Sequence, residues 1–185
     1  MASPTDSAHT ADRLLDAYSG LLIDGGERAA TLDAVAARAG VSKGGLLYHF
    51  GSKDALAQGV IDRLATLVDE DVAAMAADPE GPVAFFIRTS TETGTAFDAA
   101  YNATVALAQS GDTSATAAIA DTRARWHAAL MPEVNDADAA SALIFMSDGL
   151  YLASANPEAY PAVNRGSASD FADRMLSVAR RLTAH

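Results

Sequence analysis

Both lysines of this 185-residue chain, Lys43 and Lys53, lie in one short segment, VSKGGLLYHFGSK, at residues 41–53. Two adjacent glycines and a Tyr-His pair stand between them. A lysine at the start of a helix adds its charge to backbone N–H groups that already favour phosphate, and tyrosine and histidine supply further hydrogen-bond donors. Glycine inside a helix costs about 1 kcal/mol relative to alanine, a cost that is justified where the backbone must approach another surface closely. The segment therefore favours contact with the phosphates and base edges of a nucleic acid.

Two short helices are expected to position these residues. Thr31 can cap the first helix, which Gly40 ends, and Ser42 can cap the second, which runs to Phe50. Two short helices joined by a tight turn form the helix-turn-helix pattern, whose second helix enters the major groove of DNA. An ordinary helical hairpin, common in all-α proteins, is the alternative that the spacing alone leaves open.

The remainder of the chain has the apolar periodicity of helices, so the expected fold class is all-α. We expect an N-terminal three-helix helix-turn-helix domain at residues 1–55 and a C-terminal helical bundle domain at residues 56–185. The other helices are predicted, in chain order, up to Gly25, from Ser52 to about residue 78, over 83–109 with an interruption near Gly94, and over 114–130, 137–155 and 169–183.

Charge is unevenly distributed along the chain, whose formal net charge is −11. Residues 1–63 hold six Lys/Arg against eight Asp/Glu, a net of −2, whereas residues 64–185 hold seven against sixteen, a net of −9. A protein this acidic repels nucleic acid as a whole. DNA binding must therefore come from a local patch such as the one that contains Lys43 and Lys53.

Several kinds of site are disfavoured by what the chain lacks. Without Cys there is no disulfide and no thiolate metal site, which suits a reducing cytosol. The first residues are polar, and no apolar run reaches the roughly 18–20 residues that span a bilayer, so we expect a cytoplasmic protein with no membrane partner. HExxH, phosphate-loop and GxSxG motifs are missing as well. We expect no enzyme, no metal site and no cofactor; the alternative is an all-α enzyme or small-molecule-binding protein whose hairpin is incidental.

From Thr31 to Leu56 the sequence TLDAVAARAGVSKGGLLYHFGSKDAL closely resembles the DNA-binding segment of the tetracycline-repressor (TetR) family. The caps, glycines, aromatic residues and lysines all fall in register with the family pattern. The resemblance implies a transcriptional regulator, with repression as the expectation, that binds a near-palindromic double-stranded operator as a homodimer. It also implies a C-terminal domain that binds a small lipophilic effector and releases the DNA. Gly51 departs from the pattern, since relatives often have proline or a basic residue there, and this puts one phosphate contact in doubt.

Carried over position by position, the resemblance implies phosphate contacts and groove contacts. The phosphate contacts are Thr31, Ser42, Tyr48, His49 and Lys53, and the groove contacts are Lys43, Gly44, Gly45 and Leu47. Leu46 and Phe50, four residues apart, are expected instead to anchor the helix to the core. Which groove residue touches a base stays open, because one sequence does not orient the helix in the groove.

The C-terminal domain diverges within the family, so its effector pocket has to be predicted from the residues themselves. Aromatic side chains with a few polar neighbours are typical of such pockets. Trp126, the only tryptophan, is the first candidate, and each aromatic residue has plain core packing as its alternative. A cationic lipophilic effector and an apolar, acyl-like one both fit the composition. The predicted pocket residues are Phe86, Thr89, Thr93, Phe97, Tyr101, Trp126, His127, Phe145 and Tyr151.

The last two helices are the predicted dimer interface. Residues 137–155 are apolar on nearly every side and therefore need burial against more than their own domain. Paired with the final helix and their symmetry mates, they would form a four-helix interface. A monomer with a thicker core is the alternative. The predicted interface residues are Ile144, Asp148, Tyr151, Phe171, Met175, Val178 and Leu182.

Overall fold

A computed structural model of the chain describes residues 4–161 and 167–183. In these ranges the regular structure consists of nine helices: α1 (Pro4–Ala29), α2 (Leu32–Ala39), α3 (Lys43–His49), α4 (Lys53–Ala77), α5 (Pro82–Thr89), α6 (Ala96–Gln109), α7 (Thr113–Val134), α8 (Ala137–Ala155) and α9 (Ala168–Thr183). No strand occurs among the residues described. The predicted all-α fold is therefore confirmed, and the short helices α2 and α3 form the helix-turn-helix in the N-terminal part of the chain.

α1 extends beyond its predicted end at Gly25. The helix is assigned to Ala29, but Gly26 has φ 72° and ψ −175°, which interrupts the helical path. Glycine adopts a positive φ without the steric cost that a Cβ would add. The last residues of α1 are therefore kinked away from the helix that precedes them, shortly before α2 begins.

α7 also continues past its predicted end at residue 130, through Pro132 to Val134. Proline removes one backbone donor and disturbs the turn before it, but Pro132 lies in the last turn, where few helical hydrogen bonds remain to be lost. Asn135 then ends the helix: it has a left-handed φ of 50°, and its N–H donates to the Met131 carbonyl at 2.9 Å. Residues 131–134, which lie between the two predicted helices, are thus helical.

The chain folds into two compact units, which are described separately. Unit 1 comprises Met1–Leu67 and Ala96–Ala120, and unit 2 comprises Val68–Thr95 and Asp121–His185. The predicted boundary between a DNA-binding domain at residues 1–55 and a bundle domain at residues 56–185 stays a prediction.

The core of unit 1 joins the helix-turn-helix to α6. Leu14 of α1, Val35 of α2 and Leu46 of α3 are fully buried in one cluster that also contains Ala103 and Leu107 of α6. α1 packs on both α2 and α6. The helix-turn-helix is therefore supported by a helix far along the chain, which local sequence patterns do not predict.

Gly59 allows α4 to approach the other helices of unit 1 closely. A Cβ at this position would lie 2.8 Å from Leu15 Cδ2 and 3.1 Å from Phe50 Cε1. Phe50 caps the C-terminal end of α3 and its N–H donates to the Leu46 carbonyl at 2.8 Å. The close approach at Gly59 therefore helps to fix the end of α3 against α1 and α4.

Unit 2 is built from α5, α8 and α9, which pack on one another, together with parts of α4 and α7. The start of α5 is held by Glu133, whose carboxylate accepts the Val83 N–H at 3.0 Å. Within the described ranges, no helix is both long enough and apolar enough to cross a membrane. The buried side chains of this unit include Phe86, Ile87, Leu130, Leu143, Leu150 and Leu176.

Candidate nucleic-acid interface

The helix-turn-helix is built on two side-chain caps at the predicted positions. Thr31 Oγ1 accepts the Ala34 N–H at 3.2 Å at the start of α2, and Ser42 Oγ accepts the Gly45 N–H at 3.1 Å at the start of α3. Gly40 ends α2 in the left-handed region, at φ 67° and ψ 36°. Both capping hydroxyls belong to exposed residues, so they can hold the turn and still face a ligand.

Arg13 of α1 holds this turn from outside. Its guanidinium donates to the carbonyl oxygen of Ala39, at the C-terminal end of α2, and lies 3.5 Å from the carbonyl oxygen of Gly40. A cation is favourable at the C-terminus of a helix, where the backbone carbonyls lack helical partners. Arg13 therefore orients α2 and the turn relative to α1, a role that no sequence pattern indicated.

α3 buries one face and presents the other to solvent. Leu46 is fully buried, whereas Lys43, Gly44 and Leu47 are exposed and Tyr48 is 83% exposed. These exposed positions are spaced one and four apart, so they share one side of the helix. His49 is half-buried, with its ring centroid 5.2 Å from that of Tyr48. Lys43, Gly44, Leu47 and Tyr48 thus lie together on the free side of the helix, and the half-buried Gly45 and His49 lie at its edge.

Gly44 and Gly45 are not required by packing inside the protein. A Cβ at Gly44 would come no closer than 4.0 Å to Ser42 Oγ, and one at Gly45 would lie 3.4 Å from Ser42 Oγ and 4.0 Å from Val41 Cβ. All three distances are ordinary van der Waals contacts. A small side chain would therefore fit the free protein, and the glycines remain to be explained by an external surface.

Both lysines are paired with carboxylates of the same unit. Lys43 Nζ lies 2.9 Å from an Asp33 carboxylate oxygen. Lys53 Nζ donates to the backbone carbonyl of Glu27 and to its carboxylate, each at 2.5 Å. Lys53 is half-buried, in contrast to the exposed Lys43. The two cations are therefore placed at the helix starts, but neither is free of a competing anion.

Arg28 is a basic residue of unit 1 that the sequence did not single out. It is exposed, and in the part of the chain that the structure describes it makes no ion pair or hydrogen bond through its side chain. Arg38, another cation of unit 1, is paired with Asp24 at 2.6 Å. Arg28 stands next to Glu27 and three residues before the Thr31 cap, a position that could have drawn attention to it as a further phosphate contact.

The predicted pocket residues are distributed over both units. Phe97 and Tyr101 lie on α6 in unit 1, where their rings stack with centroids 6.1 Å apart. The others lie in unit 2, in different environments: Phe86 and Trp126 are buried, Thr89, His127 and Tyr151 are half-buried, and Thr93 and Phe145 are exposed.

Trp126 is tightly packed in unit 2. Its indole Nε1 donates to Asp71 Oδ2 at 2.8 Å, and its ring meets Phe86 edge-on with centroids 5.4 Å apart. Burial raises the pKa of Asp71 above its ordinary value, while the hydrogen bond from Trp126 opposes that shift. An aromatic pair beside a partly buried carboxyl group is the arrangement in unit 2 closest to the predicted pocket.

Asp71→Asn is expected to raise the thermal unfolding temperature at pH 7, because the amide keeps an acceptor for Trp126 and removes a partly buried charge. A raised pKa in the folded state means that ionisation of Asp71 destabilises the fold. This destabilisation is present above the folded pKa and absent below the ordinary value of 3.8. The gain in unfolding temperature should therefore vanish near pH 3. The control Asp69→Asn removes an exposed carboxylate that is paired with Arg125 and should give no such gain, and an equal gain of Asp71→Asn at both pH values would contradict the assignment.

α7 and α8 border an open groove of about 280 Å³ in unit 2. His127 Nε2 lies 3.1 Å from the Ala137 carbonyl oxygen, and Arg123 donates to the Asp148 carboxylate at 2.8 and 3.0 Å. Phe145 is 71% exposed at the groove. The groove is lined by Arg123, Ala124, His127, Ser141, Ile144 and Phe145.

The predicted dimer residues differ in how much surface they present. Ile144 and Phe171 are buried within unit 2, so little of either remains for a partner. Tyr151, Asp148, Met175 and Val178 are half-buried, and Leu182 is exposed. Phe145 and Leu152 of α8, which were not predicted for this surface, are more exposed than any of the half-buried four.

Part of the chain matches a known protein family. Residues 14–60 match the family model described as bacterial regulatory proteins, tetR family. Among curated proteins, the A-factor receptor protein of Streptomyces griseus is 33% identical over 69 residues, which are 37% of this chain and 25% of that protein. The match thus spans about a quarter of the length of this curated relative.

Solved structures resemble the chain over nearly its whole length. The multidrug binding protein EbrR, solved in complex with malachite green, is similar over 95% of this chain and 98% of its own, with a TM-score of 0.68 and 22% identity. NalD, the secondary repressor of the MexAB-OprM multidrug efflux pump in Pseudomonas aeruginosa, is similar over 96% of both chains, with a TM-score of 0.67 and 16% identity. At these identities the likeness shows a shared fold.

Proposed function

We propose that this chain, whose residues 14–60 match the tetR family of bacterial regulatory proteins, represses transcription as a ligand-controlled homodimer. Each protomer inserts α3 into the major groove at one half of a near-palindromic operator. The two recognition helices then have to stand about one DNA turn, roughly 34–36 Å, apart. In a second form of the dimer the two α3 helices stand at a different distance. A small lipophilic effector that binds this second form more tightly shifts the population towards it and so releases the DNA.

The free side of α3 is the observation that carries this proposal. Lys43, Gly44, Leu47 and Tyr48 are exposed together, while Leu46 anchors the opposite side in the core. Gly44 on this side and Gly45 at its edge have room for a small side chain in the free protein, so close approach to a duplex would explain their small size. The acidic remainder of the chain repels DNA, and this property favours binding through the helix-turn-helix and the adjoining start of α4.

For the homodimer we propose the exposed apolar side chains of α8 and α9. Phe145 is 71% exposed and Leu152, seven residues later on the same side of α8, is 48% exposed. Leu182 near the end of α9 is also 48% exposed. Exposed apolar residues on adjacent packed helices are typical of a surface that is covered in the assembled protein. Phe145 is therefore reassigned in our proposal from the effector pocket to the dimer surface.

For the effector we propose binding in unit 2 beside the Phe86–Trp126 pair. The two rings and the Asp71 carboxyl group combine apolar surface with one directional polar contact, which suits a lipophilic molecule. Malachite green, the compound found with the similar fold of EbrR, is the first probe. Quenching or a shift of Trp126 emission on titration is the expected result. A panel of lipophilic compounds that changes neither the emission nor the DNA footprint would contradict this part of the proposal.

Footprinting on the DNA that flanks the chain's own gene tests the function directly. A protected, near-palindromic site, lost on addition of an effector from the same panel, is the expected result. A folded protein that protects no part of this DNA, with or without the compounds, would contradict the proposal. That outcome favours an all-α small-molecule-binding protein or enzyme instead.

Lys53→Ala is expected to weaken binding to all duplexes by a similar factor. Lysine contacts to phosphate carry no sequence information, and each lost contact flattens the dependence of log Kobs on log salt by up to about one unit per site. Fluorescence anisotropy with operator and unrelated duplexes at several salt concentrations measures both quantities. An unchanged affinity with an unchanged slope would remove Lys53 from the interface.

A further inference from the structure

Glu27 holds the ammonium group of Lys53 by two of its own oxygen atoms. Lys53 Nζ lies 2.5 Å from the Glu27 backbone carbonyl and 2.5 Å from Oε1 of its carboxylate. An ammonium group has three N–H donors, so two of the three are already engaged. The side chains are 28% and 41% exposed, which leaves the pair open to an approaching ligand.

The kink in α1 explains why Glu27 can make both contacts. Gly26 departs from helical geometry, so the residues after it do not continue the straight path of the helix. The carbonyl groups in the last turn of a helix lack helical partners, and the Glu27 carbonyl obtains its partner from Lys53. Lys53 itself stands at the first position of α4, after the Ser52 cap whose hydroxyl accepts the Ala55 N–H at 3.1 Å. Glu27 thus lies at the helix N-terminus where a phosphate would be most favourable.

A carboxylate in this position has two opposite effects on DNA binding. It can orient the lysine towards a phosphate, or it can compete with the phosphate for the same ammonium group. The pair carries no net charge, so an approaching phosphate gains less from it than from a free lysine. Because the two contacts already use most of the donors, competition outweighs orientation.

We propose that Glu27 is an intramolecular competitor for DNA phosphate at Lys53 and thereby weakens binding to every duplex sequence. The proposal rests on the DNA-binding function proposed above. Asp33 has the same relation to Lys43, but that pair is the more exposed of the two, at 54% and 74%, and is screened more strongly by salt. Glu27 is therefore the residue with the larger expected effect.

Glu27→Gln keeps the shape of the side chain and removes its charge. Binding to a duplex of about 30 base pairs of mixed sequence, roughly three helical turns, should tighten. At about 50 mM salt the expected gain is about two- to fivefold, from the strength of an exposed ion pair. The dependence of log Kobs on log salt should become steeper by the part of about 0.9 unit per protomer that Lys53 does not already contribute while paired with Glu27. Anisotropy titrations between about 50 and 200 mM salt measure both changes.

Two further variants separate this mechanism from its alternatives. Asp62→Asn makes the same change in charge on the same unit, but Asp62 accepts from Gln58 rather than from a cation, so its effect should be clearly smaller. In the Lys53→Ala background, Glu27→Gln should tighten binding little, because no ammonium is left to release. Equal gains in Glu27→Gln and Asp62→Asn, or a gain that persists without Lys53, would overturn the proposal in favour of a general charge effect.

The remaining outcomes are equally decisive. Weaker binding by Glu27→Gln would overturn the proposal and make Glu27 a residue that orients Lys53. If the wild-type protein binds the duplex and Glu27→Gln binds it with the same affinity, the role of Glu27 is contradicted, but the DNA-binding function is not. A folded wild-type protein that binds no duplex at low salt contradicts the DNA-binding function itself, and the role of Glu27 with it.

Discussion

Gly45→Leu is expected to lose operator binding by roughly a thousandfold, to the level of binding to unrelated DNA. The added side chain would stand on α3 between the backbone and the groove and would keep the helix away from the base edges. The fold should remain intact, because a Cβ at Gly45 meets only Ser42 Oγ at 3.4 Å and Val41 Cβ at 4.0 Å. Replacing glycine inside a helix also raises helix propensity by up to about 1 kcal/mol, so the unfolding temperature should stay the same or rise.

Gly45→Ala is the graded control for this experiment. Its single methyl group fits the free protein and should reduce operator affinity less than leucine does. Affinity is measured on the footprinted operator, and stability by thermal unfolding monitored by circular dichroism. Wild-type affinity in Gly45→Leu would show that Gly45 has no role at the DNA surface.

Phe145→Asp is expected to convert the proposed dimer into monomers. Phe145 is 71% exposed in the single chain, so an aspartate there should leave the protomer folded. In a symmetric dimer the substitution enters the interface twice, and burial of an unpaired carboxylate opposes association strongly. The dimer dissociation constant should rise by at least about tenfold, and operator affinity should fall with it because two half-sites are no longer engaged together.

Ile23→Asp is a matched control for this change. Ile23 is an exposed large apolar residue of unit 1, at 48%, and its replacement alters the charge in the same way at a place outside the proposed interface. Sedimentation velocity at several concentrations measures the state of association of each variant. If Phe145→Asp sediments as a dimer like Ile23→Asp, the interface lies elsewhere on the chain.

Features that depend on a few consecutive residues could be predicted from the sequence. The caps at Thr31 and Ser42, the left-handed glycine after α2 and the bounds of α8 all rest on local backbone requirements. A helix cap needs a side-chain oxygen that accepts a hydrogen bond from a backbone N–H two or three residues later, and that spacing can be recognised in the sequence. The all-α fold and the position of the recognition helix follow from such local rules.

Features that depend on partners distant in sequence could not be predicted. Lys53 is held by Glu27, 26 residues away, and Arg13 reaches Ala39 over the same separation. The exposure of Phe145 could not be predicted either, because α8 is apolar on almost every side and its sequence pattern does not distinguish a buried face from an exposed one. Such pairings and directions are decided by how the helices pack, so they appear only in the folded protein.

Trp126 makes this protein its own optical reporter. It is the only tryptophan in the chain, it lies in unit 2, and its indole shares a hydrogen bond with Asp71 at 2.8 Å. Tryptophan fluorescence of this protein therefore reports on the surroundings of Asp71 in unit 2, and the helix-turn-helix contributes none of it. A change of emission when duplex is added would consequently record, without any label, that an event at α3 has reached unit 2, where we propose that the effector binds.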